Sequence, residues 1–158
     1  MSNIHKKPVI GITPAFDEAV KIQQSKETPY LRRTYTRILE SVGAIPLILN
    51  PDMPLDYIVE QCDGIVISGG EDVDPAYNLG REFLHVKEPK ERTDWEFTLL
   101  KLCEKQHIPI LGICYGMQIL VLYNGGVLHQ DIETEVPNSI NHNITTHDIV
   151  FHESFLGF

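Results

Sequence analysis

Apolar runs of strand length alternate along this chain with longer stretches of helical period, which restricts the fold to βαβ units around a parallel sheet. Val9-Ile10-Gly11-Ile12 is the first run and ends at Thr13-Pro14. Residues 15–28 are polar without a clear period and read as a loop or lid. Leu31, Tyr35, Ile38, Leu39 and Val42 recur at helical spacing, which predicts a helix from Tyr30 to Val42 closed by Gly43. Ile45-Pro46-Leu47-Ile48-Leu49 is the second strand, and 55–61 a short helix. Gly64-Ile65-Val66-Ile67 is wholly apolar, the pattern of a strand buried on both faces. Thr93 should cap a helix over about 94–106 with Trp95, Leu99, Leu102 and Cys103 on one face. Ile108 to Ile113 is the fourth strand and Gly116 to Tyr123 an apolar helix, with short later strands expected at 127–129 and 147–152. The expected product is one domain over 1–158, a doubly wound parallel sheet of at least five strands.

Charge narrows the partners. Thirteen basic against twenty-two acidic residues give a formal net charge of -9, which repels nucleic acid and anionic membrane surfaces. Cys62, Cys103 and Cys114 are an odd number without CxxC spacing, so they read as reduced thiols. The N-terminal residues lack the apolar core of a signal peptide, and no apolar stretch approaches the roughly 18 residues a span needs. A cytoplasmic protein without a nucleic-acid or membrane partner is expected.

The chemistry is concentrated at Gly112-Ile113-Cys114-Tyr115-Gly116, the cysteine counterpart of the G-x-S-x-G nucleophile elbow, set between an apolar strand and an apolar helix. Glycines on both sides let the backbone turn tightly and let strand and helix approach. The sulfur then projects from the carboxyl end of the sheet, where α/β folds place their sites. The N-terminus of the following helix favours thiolate. The N–H of Tyr115, next after the cysteine, stands ready to donate to an oxyanion. Cys62 and Cys103 lack glycine framing and read as structural thiols.

Gly112 through Gln118 resembles the nucleophile motif of class I glutamine amidotransferases. The wider pattern is similar to the peptidase C26 group, whose members include gamma-glutamyl-gamma-aminobutyrate hydrolases. It comprises Ser68-Gly69-Gly70 with Asp72-Val73-Asp74-Pro75, Pro109-Ile110-Leu111, Gly125-Gly126-Val127-Leu128 and Gln130-Asp131-Ile132, and it runs from residue 8 to the end of the chain. The resemblance implies a flavodoxin-like, three-layer α/β/α fold. It implies Cys114 as nucleophile, the N–H groups of Gly70 and Tyr115 as the oxyanion hole, and Gln118 as a residue shaping the glutamyl pocket. The reaction would be attack on a γ-glutamyl amide, loss of an amine, and hydrolysis of a thioester, with no cofactor and no metal.

Two departures bear on function. Many γ-glutamyl hydrolases of the group carry Arg where this chain has Tyr115, a residue common there in amidotransferases. The family's catalytic His and its Glu partner lie C-terminal to anything here, so a chain lacking the fold's C-terminal portion is expected, with exposed apolar edges that favour self-association. A catalytically silent or truncated amidotransferase-like domain that keeps the pocket for binding or scaffolding is the alternative to an enzyme.

Other constellations read as structural. His142, His147 and His152 are spaced by five and share no helix face, and His129 stands alone, so all four are ordinary histidines. Glu71, Asp72 and Asp74 match no EF-hand loop and read as an acidic turn. Gly69-Gly70 fits neither the Walker A nor the dinucleotide fingerprint.

Overall fold

A computed structural model of the chain describes residues 6–17, 28–73, 77–78, 90–140, 145–146 and 148. In chain order the elements are β1 (Val9–Thr13), β2 (Ala15–Asp17), β3 (Thr28–Tyr30), α1 (Arg33–Ser41), β4 (Ile45–Ile48) and α2 (Leu55–Gln61). They continue with β5 (Gly64–Ile67), α3 (Lys90–Gln106), β6 (Ile110–Gly112), α4 (Tyr115–Tyr123) and α5 (Ile132–Glu135). The chain divides into two compact units, Met1–Leu128 and His129–Phe158.

In the first unit four parallel strands stand in the order β4-β1-β5-β6. The chain steps from β1 outward to β4, then back across β1 to β5 and on to β6. Right-handed crossovers therefore place α1 on one face of the sheet and α2 and α3 on the other. The result is the parallel sheet with flanking helices of a flavodoxin-like three-layer fold. Side-chain parity agrees. Ile65 and Ile67 of β5 join Ile58, Val59, Leu99, Leu100, Cys103, Ile119 and Leu122 in one buried cluster. Ile12 and Val66, partners in register, are buried outside that cluster on the opposite face. All four residues of β5 are buried, as its uninterrupted apolar run requires.

Several expectations need correction. Residues 15–17 and 28 are not loop, and Tyr30 does not begin a helix: Ala15–Asp17 and Thr28–Tyr30 form β2 and β3, an antiparallel pair with Ala15 opposite Tyr30, and the helix starts at Arg33. Thr93 does not cap a helix: α3 begins at Lys90, and Thr93 is fully buried with its hydroxyl 2.9 Å from the Tyr115 hydroxyl. Residues 127–129 form no strand, and most of 147–152 falls outside the described residues. The main sheet has four strands among the described residues rather than five, and β6 is its edge rather than a central strand. Helix α1 buries none of its residues: Ile38 and the C-cap Val42 stay exposed, as does Ile48 on the same face of edge strand β4. An edge strand offers a helix too little surface to cover its whole apolar stripe.

In the second unit α5 is capped by Asp131, whose side chain accepts the Glu133 N–H. Glu135 accepts the N–H of Gln130 at 3.1 Å and lies 3.0 Å from His129 Nδ1. Contact with His129 holds the Glu135 carboxyl below its usual range. His129 is thus the side-chain partner of Glu135, while His142, His147 and His152 lie outside the described residues.

Candidate active site

Cys114 follows β6 and forms the N-cap of α4 with φ 56° and ψ -112°. A positive φ is uncommon for a residue with a β-carbon and marks a held, strained turn. The glycines on either side explain how the turn closes. A β-carbon on Gly112 would lie 2.7 Å from the Met117 nitrogen, and one on Gly116 would lie 2.8 Å from the Ile67 carbonyl carbon. Neither position accepts a side chain while strand and helix stay in contact. The turn is tied down by Ile113 N–H donating to the Ile67 carbonyl at 3.0 Å and Met117 N–H to the Cys114 carbonyl at 2.9 Å.

The thiol is exposed, unlike those of Cys62 and Cys103. It borders a cleft of about 270 Å³ at the carboxyl ends of the strands. Tyr30, Arg32 and Tyr35 line one wall, and Ser68, Gly69, Gly70 and Glu71, following β5, line the other. A β-carbon on Gly69 would sit 3.1 Å from the Tyr35 hydroxyl and 3.4 Å from the Cys114 β-carbon. The Gly69 N–H donates to the Tyr35 hydroxyl at 2.8 Å. The next N–H along, that of Gly70, and the N–H of Tyr115 at the head of α4 have no hydrogen-bond partner among the described residues. Gln118 lies further along α4, half-buried, with its N–H donating to the Cys114 carbonyl at 3.2 Å; it is not among the residues lining the cleft. Asp72 is exposed, Asp74 falls outside the described residues, and no metal-binding cluster occurs among the described residues.

Behind the cleft lies a buried polar network that reading the sequence missed. The side chains of Arg92 and Glu96 on α3 are wholly buried, with Arg92 Nε 3.0 Å from Glu96 Oε1. Arg92 Nη2 donates to the Ser68 carbonyl at 3.0 Å, and its guanidinium carbon lies 4.0 Å from the centre of the Tyr115 ring. Thr13 donates to Glu96 Oε1 at 2.7 Å and accepts the Ser68 N–H at 3.3 Å. Burial pushes the Glu96 carboxyl above its usual range against the pull of Arg92. Burial, followed by the nearby Glu96 charge, pushes the Tyr115 phenol up. The signal in the sequence was spacing: residues 92, 96, 99 and 103 form one helical stripe, so the two charges continue the apolar face of Leu99 and Cys103.

Fold and site together define an α/β protein that carries a cysteine on a strand-to-helix elbow facing a cleft. The Peptidase C26 family profile matches residues 8–156, and the chain belongs to that family. It is 35% identical over 144 residues to a glutamine amidotransferase-like protein of Rickettsia prowazekii, covering 87% of this chain and 49% of that one. A glutamine amidotransferase-like protein of Lactococcus lactis is 32% identical over 147 residues, covering 82% of this chain and 59% of its own length. The gamma-glutamyl-gamma-aminobutyrate hydrolase of Escherichia coli K12 is 27% identical over 158 residues, covering 90% and 56% respectively. The chain thus spans about half the length of the curated relatives it matches. Among the described residues no helix is long and apolar enough to cross a membrane.

Proposed function

We propose that Cys114 is the nucleophile of a γ-glutamyl amide hydrolase or amidase, with the N–H groups of Gly70 and Tyr115 receiving the oxyanion; Gln118, which the family resemblance assigns to the glutamyl pocket, would act from behind the cleft lining, through its place on α4. The observation that carries this reading is the elbow: an exposed thiol held at positive φ at the head of α4, beside a cleft whose wall includes Gly70. Membership of the C26 family and similarity to a gamma-glutamyl-gamma-aminobutyrate hydrolase support the substrate class. Arg32 and Glu71 line the same cleft and offer opposite charges to the carboxylate and ammonium of a glutamyl group.

The test is acylation. Incubation with γ-glutamyl-p-nitroanilide should release p-nitroaniline and add one glutamyl group to the peptide containing Cys114, and Cys114→Ala should do neither. Absence of both from a chain whose Cys114 still reacts with iodoacetamide would overturn the proposal. A second reading, a domain that binds γ-glutamyl compounds without turnover, draws on one observation: no histidine is found among the described residues that line the cleft. The described histidine of the first unit, His107, precedes β6 and stands at the opposite end of that strand from Cys114. Release of glutamate beyond one equivalent per chain separates turnover from binding or single acylation.

A further inference from the structure

Arg92 contacts the two residues before Gly70 and the ring of Tyr115, and is not among the residues that line the cleft. Its Nη2 holds the Ser68 carbonyl at 3.0 Å and lies 3.4 Å from the Ser68 hydroxyl, and its Nη1 reaches the Gly69 carbonyl at 3.5 Å. The Gly69–Gly70 peptide is trans, so its C=O and N–H point in opposite directions. A carbonyl turned back toward buried Arg92 therefore turns the Gly70 N–H the other way, toward the cleft that Gly70 lines. The preceding peptide is fixed at both ends, its Ser68 carbonyl by Arg92 and its Gly69 N–H by Tyr35. The same guanidinium lies over the ring of Tyr115, whose own N–H is the second donor.

Stability alone gives weak grounds for this arrangement. Removing two charges from water costs more than their attraction commonly returns, and apolar replacement of a buried pair is often neutral or stabilising. We propose that Arg92, held in place by Glu96, is a positioning residue that sets the Gly70 and Tyr115 N–H groups on one point beside the Cys114 sulfur. This rests on the reading of Cys114 as the nucleophile. In that step the thiolate sulfur bonds to the γ-carbonyl carbon while the carbonyl π electrons move onto its oxygen. Collapse of the oxyanion re-forms the C=O bond and breaks the C–N bond, and the amine leaves with a proton from solvent. Only the oxyanion needs the two N–H groups, so disorder in them slows acylation and leaves simple alkylation of the sulfur untouched.

The experiment uses Arg92→Lys, which keeps the charge but loses the planar fork, and the double variant Arg92→Met with Glu96→Leu, which removes the pair together. Single-turnover release of p-nitroaniline from γ-glutamyl-p-nitroanilide should slow by about 10²-fold in the double variant, the cost of one lost oxyanion donor, and by less in Arg92→Lys. The half-saturating probe concentration and the rate of Cys114 alkylation by iodoacetamide should stay within about threefold, since neither involves the oxyanion. The order parameter of the Gly70 amide, measured by ¹⁵N relaxation, should fall from about 0.85 to below about 0.6, with or without probe. Wild-type acylation in a folded double variant overturns the proposal, as does an unchanged Gly70 amide. Loss of alkylation in step with acylation overturns it too, because that marks collapse of the elbow. Failure of the wild type to acylate instead sinks the γ-glutamyl reading, and the Gly70 amide then decides the positioning role.

Discussion

Gly116 stands against Ile67 so closely that a β-carbon on it would meet the Ile67 carbonyl oxygen and lie 2.8 Å from the carbonyl carbon. Backbone cannot swing aside as a flexible side chain can, so helix α4 would have to move off strand β5. Gly116→Ala gains about 1 kcal/mol in helix propensity but incurs overpacking of about 1–3 kcal/mol or more. Because the clash is with backbone, we expect the upper part of that range, a net loss of about 1–2 kcal/mol, read from the midpoint of urea unfolding at unchanged slope. A variant as stable as the parent would mean that the elbow is not held by this contact.

Limiting iodoacetamide near neutral pH should label Cys114 before Cys62 or Cys103. Cys114 is exposed, whereas Cys62 is 6% and Cys103 0% exposed. Burial pushes both buried thiols up, Cys103 to about 11, which leaves little thiolate to react. Peptide mapping of the folded protein checks the order, and labelling at Cys103 first would contradict it.

The same burial predicts an alkaline weakness. The Cys103 thiol ionises near 9.0 in an unfolded chain and near 11 in the folded one. Its contribution to stability is complete below pH 9.0 and is lost as pH rises toward 11, because the unfolded chain releases its proton first. The loss is on the order of 2 kcal/mol across that window. Urea unfolding at pH 8 and pH 10.5 should show the fall in the parent and a smaller one in Cys103→Ala.

Tyr115→Phe removes the hydroxyl that meets Thr93 Oγ1 at 2.9 Å and leaves a buried threonine oxygen without that partner. The expected cost is about 1–2 kcal/mol, most of it recovered when Thr93→Val is added. Because the ring stays beneath Arg92, Cys114 alkylation should not change.

Much of the fold was legible because apolar periodicity is written locally. The run Gly64–Ile67 and the helix over 55–61 appear where the sequence placed them. The β2–β3 pair was not legible, since Ala15–Asp17 and Thr28–Tyr30 carry too few apolar residues to show a period and, among the described residues, pair only with each other. Thr93 misled for a related reason: a threonine before an apolar stripe fits a helix cap, and only the position of Tyr115 makes it a buried partner.

The candidate site divides along the same line. Gly112-Ile113-Cys114-Tyr115-Gly116 specifies the elbow by itself, because a strand that must turn at once into a helix needs glycines where a β-carbon would strike backbone. What faces the thiol was left to tertiary structure. Parallel strands bring residues distant in sequence to one sheet end, so Ser68-Gly69-Gly70 meets Cys114 only once β5 and β6 are in register. Arg92 and Glu96 are ordinary helix charges in the sequence. They become a buried clamp because α3 packs between α2 and α4, over the end of the sheet where Thr13, Ser68 and Tyr115 converge.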